Sequence, residues 1–353
     1  MRTRADQIRF SELTRVQIPA VLHLIRIGYT YLSRKSQEII ERDSETNILV
    51  SIFREQYRKL NNYATDMDFE RDLNNIKLEL NQNDLGRAFY NRIQGDGGAT
   101  YIDWNNPEAN TFHVAMEVSC QNGNDEFRPD VMIFINGLPL SYIEVKQPNA
   151  IRDGKTGIQS EQNRTRYRFE NKKFRRFNNI TQFITFSDNS SYVSGQGGQR
   201  QGSYYCSNSF SKTKFNAFKE EREADFIHAF QSLTQEDIEN VLGDMNQLPL
   251  QTLPEFATNM QPDTPCNSFL TSIYQKERLF FMLRFGLAYV EEEGKDGQRQ
   301  LQKHVMRYPQ YFATRAIKDM ISKGIKKGVI WHTQGSGKTA LAYFNIRYLS
   351  VIL

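Results

Sequence analysis

Two acidic residues and a lysine have the types and spacing of a site that binds a divalent cation. Residues 128–148 read RPDVMIFINGLPLSYIEVKQP, with Asp130 before one apolar run and Glu144 and Lys146 at the end of a second. Residues two apart on a strand share a face, so Glu144 and Lys146 point to one cleft. Two carboxylates and the backbone carbonyl of Val145 form an oxygen ligand set that suits Mg²⁺. The spacing predicts metal-assisted phosphodiester hydrolysis, in which Lys146 orients the attacking water.

The register of this hairpin decides whether Asp130 reaches the same cleft. A strict two-residue loop at Asn136-Gly137 would leave Asp130 and Glu144 on opposite faces of the sheet. We therefore predict a three-residue loop, 135–137, with its glycine at positive φ and with Asp130 paired with Tyr142. A bulge would have the same effect. The alternative is a surface hairpin with incidental acids, which the nearly continuous apolar strands disfavour.

A strongly basic stretch follows the hairpin. Residues 164–176 contain seven basic residues and one acidic residue, a net +6, with three aromatic residues between them. The spacing predicts one long helix, 157–177, that places Gln162 beside the cleft. Interleaved cations and aromatics favour contacts with nucleic-acid phosphates, although a solvated charged face is the alternative.

A second motif lies near the end of the chain, where residues 328–339 read GVIWHTQGSGKT. A short apolar strand, a glycine-containing loop and a helix opening at Lys338 make a Walker A site for ATP. The loop of Gly335, Ser336 and Gly337 offers backbone N–H groups to the phosphates. Lys338 reaches the β- and γ-phosphates, and Thr339 binds Mg²⁺.

Composition narrows the class of protein. The chain has 353 residues and a net charge of +4, and it contains neither a long apolar run nor a signal peptide. Three widely spaced cysteines form neither a disulfide framework nor a zinc motif. We expect a cytoplasmic α/β protein without membrane contact.

Three regions are predicted from composition and periodicity. Residues 1–245 would form one domain, and 246–266, which hold four of the ten prolines, would form an irregular linker. Residues 267–353 would begin a second domain, with helices at 267–290 and 311–323. The Ser-, Gly- and Gln-rich stretch 188–212 would be a surface loop.

The two motifs together resemble the restriction subunit of type I restriction-modification enzymes, over nearly the whole chain. The resemblance implies a PD-(D/E)XK restriction-endonuclease-like mixed sheet flanked by helices, followed by the start of a RecA-like motor. It implies cleavage of double-stranded DNA after ATP-driven translocation, with methyltransferase and specificity subunits as partners.

The resemblance also assigns roles to single residues. The segment ending at Gln310 is similar to one that places a glutamine against adenine in related motors; a plain polar loop residue is the alternative. A QxxxY motif supports the nuclease site in the family, but Gln162 and Tyr167 stand one residue too far apart for it. Family members often have a glutamate in the first helix, where this chain has Gln17.

Two other functions stay open. A degenerate nuclease fold could bind DNA without cutting it, or a P-loop nucleotide hydrolase could be the main activity. Only 14 residues follow Thr339 in the sequence. Because hydrolysis needs further motor segments, we expect no useful ATP turnover by this chain alone.

Overall fold

The protein has an α/β fold built on one mixed sheet. The computed structural model describes residues 11–96, 98–147, 151–152, 155–188, 203–210, 213–222, 230–293, 297–331 and 337–352. The mixed sheet and its helices confirm the α/β class predicted from the sequence. None of the helices in these ranges combines the length and the apolar character that a membrane span requires.

Seven strands form the central sheet, in the order β1-β2-β5-β6-β9-β10-β11. Parallel pairs are β1 with β2 and β6 with β9, and the other neighbours are antiparallel. The sheet strands are β1 (Thr30–Tyr31), β2 (Phe112–Met116), β5 (Val131–Ile135), β6 (Leu138–Val145), β9 (Phe183–Ser187), β10 (Ser203–Cys206) and β11 (Asn216–Ala217). Three two-stranded hairpins add β3 (Cys120–Asn122), β4 (Asp125–Phe127), β7 (Ile151–Arg152), β8 (Lys155–Thr156), β12 (Leu287–Glu293) and β13 (Arg299–Val305).

Helices cover the sheet on both faces. They are α1 (Ile18–Arg26), α2 (Gln37–Ile40), α3 (Val50–Leu60), α4 (Asp66–Leu80), α5 (Arg87–Asn91), α6 (Gly157–Glu170), α7 (Arg175–Ile180), α8 (Gln235–Asp244), α9 (Pro254–Asn259), α10 (Pro265–Tyr274), α11 (Lys276–Phe285), α12 (Tyr308–Ser322) and α13 (Lys338–Ile352). A π-helix, Leu13–Gln17, leads directly into α1. The alternation of strand side chains sends Ile143 and Val145 into one buried cluster with α1, and Tyr142 into a second with α7.

The basic stretch is not one continuous helix. Helix α6 ends at Glu170, a 3-10 helix follows at Lys172–Phe174, and α7 begins at Arg175. The side chain of Asn171 accepts a hydrogen bond from the Lys173 amide at 3.0 Å. Asparagine at this position competes with the helix for backbone partners, which explains the break.

Two further element predictions are wrong in part. The interval 267–290 holds α10 and α11, and β12 takes its end because β13 supplies a complete antiparallel partner. The interval 188–212 contains β10, paired with β9, while 189–202 and 211–212 lie outside the described residues.

Residues 246–266 are not irregular. A 3-10 helix at Leu248–Thr252 and helix α9 occupy much of the interval, and Leu250 and Phe256 are buried. Their prolines lie in the first turn of a helix, where a missing N–H breaks no hydrogen bond. The domain boundaries at 245 and 267 stay predictions. Beyond them, the Tyr274 hydroxyl lies 2.8 Å from Ser141 Oγ in the sheet.

The described part of the P-loop segment differs from the prediction. Residues 328–331 form neither strand nor helix, and Trp331 is 91% exposed. A strand requires a hydrogen-bonded neighbour, and none of these four residues pairs with a described strand.

Lys303 on β13 supplies a test of the fold that is independent of any function. Its ammonium is buried and donates to Gln182 Oε1 at 2.8 Å and Asn208 Oδ1 at 3.2 Å. Burial lowers the pKa of Lys303 to about 7, although Asp84 and Cys206 oppose the shift. The unfolded chain therefore binds one more proton than the folded protein between pH 7 and the ordinary lysine pKa.

We predict that the free energy of unfolding rises with pH in this window, and that Lys303 alone contributes about 2 kcal/mol of the rise between pH 7 and 9. Lys303→Met removes this increment, and Lys323→Met at an exposed position retains it. Urea unfolding at pH 7, 8 and 9 measures the difference. Equal slopes in the wild type and Lys303→Met would contradict the assignment.

Candidate active site

A β-bulge in β6 sets the position of the two predicted metal carboxylates. Val131 pairs with Ile143 and Ile133 with Ser141, but Ile135 pairs with Leu138, so β6 has one extra residue. The loop itself is the two-residue Asn136-Gly137 turn, with φ of 52° and 80°. The three-residue loop and the Asp130–Tyr142 pairing are therefore wrong, because Met132 pairs with Tyr142. The bulge that we named as an alternative is present.

The extra residue brings the acids together. Leu140 contributes to the same buried cluster as Ile143, and Ser141 contacts Tyr274 on that side too, so two consecutive residues share a face. Beyond the bulge the register continues from the Val131–Ile143 pair, which places Asp130 opposite Glu144. Directly opposite residues have their Cβ atoms about 5 Å apart on one face.

Lys146 joins the two acids from the end of β6. Its Nζ lies 3.6 Å from Asp130 Oδ2 and also donates to the carbonyl of Val145. The Val145 amide donates to Asp130 Oδ2 at 2.8 Å, which fixes one oxygen of this carboxylate. The structure thus brings Asp130, Glu144, Lys146 and the Val145 carbonyl into one place, while their catalytic roles stay predictions.

Helix α6 adds a carboxylate and an arginine that the sequence reasoning missed as site residues. Glu161 is fully buried, with Oε2 3.5 Å from Lys146 Nζ and Oε1 2.8 Å from Arg168 Nη1. Arg168 also lies 3.3 Å from Glu144 Oε1 and stacks 3.9 Å above the centre of the Phe127 ring. Acids and cations therefore alternate from Asp130 through Lys146, Glu161 and Arg168 to Glu144.

Gln162 lies one residue beyond Glu161 on the same helix. One residue is a rotation of about 100° around an α-helix, so the two side chains leave α6 in different directions. Gln162 is half-buried and Tyr167 is exposed, whereas the buried face of α6 consists of Ile158, Glu161 and Thr165. The support role of Gln162 stays a prediction, and Glu161 is the α6 side chain that contacts Lys146. The signal in the sequence for Glu161 is the spacing of Ile158, Glu161 and Thr165, which are three and four residues apart and so share one face of α6.

The segment before α1 supplies two more contacts. Gln17 is buried and its Nε2 donates to the backbone carbonyl of Asp130 at 2.7 Å. Glu12 lies 3.4 Å from Lys146 Nζ and accepts a hydrogen bond from the Gln147 amide at 3.2 Å. A glutamate from this segment is therefore present at the site, five residues before the position that the resemblance indicated.

Burial and like charge shift the ionisation of the acids. Desolvation raises the pKa of Asp130 to about 6, although Lys146 and the Val145 amide oppose the shift. Desolvation, together with the nearby carboxylates of Asp130 and Glu161, raises the pKa of Glu144 well above its usual range. A bound cation next to these acids would favour their charged forms.

The donor chemistry fits Mg²⁺. Within the described residues, no three His, Cys, Asp or Glu side chains are arranged as a complete metal cage. Mg²⁺ does not need one, since it typically binds one or two carboxylates and keeps several waters. Asp130 and Glu144 supply two carboxylates, and the Val145 carbonyl supplies a third oxygen.

The nucleotide motif is described only in part, because Gly335 and Ser336 lie outside the described residues. Gln310 is buried; its Oε1 accepts from the Arg307 amide at 2.8 Å and its Nε2 donates to the Gly337 carbonyl at 3.0 Å. Both functional groups of this amide therefore have protein partners, and adenine recognition by Gln310 stays a prediction. A cleft of about 750 Å³ is lined by Gln310, Gly337 and Thr339, and Lys338 opens α13 beside it.

Comparison with protein families finds two matches. Residues 9–202 match the family described as type I restriction enzyme R protein N terminus, and residues 309–351 match the SWI2/SNF2 ATPase family. The first match covers more than half of the chain and includes the whole arrangement around Asp130 and Glu144.

Three relatives come from Methanocaldococcus jannaschii. The putative type I restriction enzyme MjaVIIP endonuclease subunit is 26% identical over 256 residues, which are 70% of this chain and 19% of the relative. The MjaVIIIP subunit is 25% identical over 283 residues, 78% of this chain and 21% of the relative. The MjaIXP subunit is 21% identical over an alignment of 367 positions, which covers 93% of this chain and 30% of the relative. The matched regions thus span 19% to 30% of the length of these relatives.

The contacts of Arg168 predict that its replacement strongly lowers the free energy of unfolding. Arg168→Met leaves Glu144 and Glu161 buried without this cation, and loss of one partner of a buried ion pair costs about 3 kcal/mol or more. The double variant Glu161→Gln/Arg168→Met should recover part of this loss, because it removes one of the two acids. Urea unfolding at pH 7.5 measures both.

Arg166→Met is the matched control, since Arg166 is exposed on the same helix and contacts the Phe215 ring. We expect it to change the free energy of unfolding by less than about 1 kcal/mol. Additive losses in the double variant would show that Arg168 and Glu161 are not coupled.

Proposed function

The chain belongs to the type I restriction enzyme R protein family through its N-terminal region, and on that premise we propose that it carries a Mg²⁺-dependent DNA endonuclease site. Asp130, Glu144 and Lys146 are its central residues. The observation that carries the proposal is the β5–β6 register, which runs from the Val131–Ile143 pair toward Asp130 and Glu144, together with Lys146 3.6 Å from the Asp130 carboxylate. The names of the three relatives as endonuclease subunits support the same reading.

The chemistry follows from what each residue can hold. Asp130, Glu144 and the Val145 carbonyl would bind Mg²⁺, which supplies charge stabilisation at the scissile phosphate and a more acidic water. Lys146 would orient that water and offset the negative charge that grows on the phosphate. Its ammonium is held by Glu12, Asp130 and Glu161 at 3.4 to 3.6 Å, so its direction is fixed before DNA arrives.

Double-stranded DNA is the proposed substrate, although much of the basic stretch is already engaged. Arg168, Lys173 and Arg176 form ion pairs with protein carboxylates. The phosphate contacts predicted from the net charge of this stretch therefore fall to exposed side chains of α6: Arg166, and Arg164, which is exposed although it pairs with Glu161 at 2.9 Å.

The second family match extends the proposal. Residues 309–351 match a SWI2/SNF2 ATPase, which supports reading Gly337, Lys338 and Thr339 as part of an ATP site that also contains Gly335 and Ser336. The finer proposal is a RecA-like motor that translocates DNA in the longer protein, together with methyltransferase and specificity subunits. A PD-(D/E)XK core and this motor would then form one polypeptide.

Substitution of Lys146 tests the nuclease. We expect Lys146→Ala to reduce Mg²⁺-dependent nicking of supercoiled plasmid by about 100-fold or more, because a positioned charge at the phosphate is lost. Lys173→Ala is the control, since Lys173 forms an exposed ion pair with Asp125 at 2.8 Å. An unchanged nicking rate in Lys146→Ala, with an unchanged melting temperature, would refute the role.

The same assay distinguishes the DNA-binding alternative. A degenerate site would bind plasmid DNA but leave it intact at every Mg²⁺ concentration, in the wild type as well as in the variant.

Substitution of Lys338 tests the nucleotide site. Lys338→Ala should weaken the binding of a fluorescent ATP analogue by about tenfold or more, as expected for loss of a charged contact with phosphate. Lys326→Ala, at an exposed position, should bind like the wild type. Equal affinities of Lys338→Ala and the wild type would contradict the assignment. Rapid ATP hydrolysis that Lys338→Ala abolishes would favour the nucleotide-hydrolase alternative.

A further inference from the structure

We propose that Pro19 builds a π-helical turn that acts as a positioning device for the nuclease site. This turn, Leu13–Gln17, directs Glu12 and Gln17 to the same side of the helix, where they hold Lys146 and Asp130. The inference rests on the proposed endonuclease function, and it assigns positioning roles to Glu12 and Gln17.

The cause lies in the sequence. Pro19 has no N–H for the carbonyl of Arg15, four residues earlier, and its ring crowds that carbonyl in a regular α-helix. The chain responds by widening the preceding turn. The Ile18 amide donates to the Leu13 carbonyl, five residues back, and this hydrogen bond defines a π-helix.

The wider turn changes which side chains share a face. In an α-helix, residues five apart differ by about 140° around the axis, so Glu12 and Gln17 would leave on different sides. An i→i+5 turn places residues five apart nearly above one another. Both side chains then contact the end of the β5–β6 hairpin: Gln17 at Asp130, and Glu12 at Lys146 and Gln147.

Gln17 fixes the backbone that carries the first metal carboxylate. Its Nε2 donates to the Asp130 carbonyl at 2.7 Å, and the Glu117 amide donates to the same carbonyl at 3.1 Å. A third hydrogen bond, from the Val145 amide to Asp130 Oδ2, holds the carboxylate itself. A glutamate at position 17 has no N–H to donate, which explains why an amide side chain fits here.

Glu12 fixes the other end of the arrangement. Its two oxygens are divided between the ammonium of Lys146 and the amide of Gln147, so it orients both the lysine and the backbone that follows it. Its side chain is 37% exposed, whereas that of Lys146 is 12% exposed. Glu12 therefore lies on the solvent side of the ammonium.

Hydrogen exchange of the Val145 amide tests the device without relying on catalysis, because this amide donates to the Asp130 carboxylate. In Gln17→Met and Pro19→Ala we expect exchange at Val145 to become about tenfold faster, since Asp130 is no longer held in place. Affinity for Mn²⁺, measured by electron paramagnetic resonance, should fall 10- to 100-fold, the usual effect of losing a residue that orients a metal ligand.

Two matched variants control for loss of packing. Gln56→Met replaces another buried helical glutamine, on α3, and Pro254→Ala replaces the exposed first residue of α9. Both should leave Val145 exchange and Mn²⁺ affinity unchanged. Melting temperatures identify any variant that fails to fold, and Gln17→Glu then serves as a second, isosteric test of the lost donor.

The outcomes separate the two proposals. If the wild type neither binds Mn²⁺ nor nicks DNA, the endonuclease proposal fails, yet the exchange of Val145 still decides whether Gln17 and Pro19 position Asp130. Unchanged exchange in Gln17→Met overturns the role of Gln17. Faster exchange in Gln17→Met with wild-type behaviour of Pro19→Ala overturns the role of the π-turn.

Discussion

One extra residue in β6 decides on which face of the sheet its charged end lies. Side chains alternate along a strand, so a shift of one residue moves every later side chain to the opposite face. With the tight Asn136-Gly137 turn alone, Glu144 and Lys146 would lie opposite to Asp130. The bulge at Leu140 and Ser141 reverses this alternation, and the contacts of Lys146 with α6 and the N-terminal segment depend on it.

The face that receives these residues is otherwise apolar, which makes their charges costly unless they have partners. Tyr142, Ile184 and Phe186 surround the strand ends on this side. The structure meets the cost by alternating acids and cations, with Glu161 between Lys146 and Arg168. Even so, neither oxygen of Glu161 accepts a hydrogen bond of good geometry among the described residues, despite the short distances to three cations. Glu161 is thus held in the network by charge more than by directed hydrogen bonds.

The parts that the sequence predicted are those governed by local pattern. The apolar strands of the hairpin and the spacing of Glu144 and Lys146 both depend on residues close in the chain. Periodicity also identified most of α12. The bulge was harder to locate, because a tight turn followed by a bulge and a longer loop without one both bring the acids to one face.

The parts that the sequence missed depend on contacts between distant segments. Glu12 lies 134 residues from Lys146 in the chain, and nothing near it suggests a catalytic neighbourhood. Arg168 was counted among the cations available to DNA, but its partners, Glu144 and Glu161, are known only from the folded arrangement. Pro19 is a visible signal, since a proline within a helical pattern indicates a disturbed turn, yet its consequence depends on which strand lies beside that turn.

Contacts from distant segments hold both Lys146 and the backbone of Asp130 in place. In the proposed site, a cation bound by Asp130 would draw its carboxylate partly away from Lys146. Lys146 also has Glu12 and Glu161 as partners at 3.4 and 3.5 Å, so its position does not depend on Asp130 alone. Gln17 holds the Asp130 backbone and not its carboxylate, which leaves Oδ1 unconstrained by that contact. Glu12 and Glu161 therefore hold the Lys146 ammonium, and Gln17 holds the Asp130 carbonyl, so none of these three contacts uses the Asp130 carboxylate.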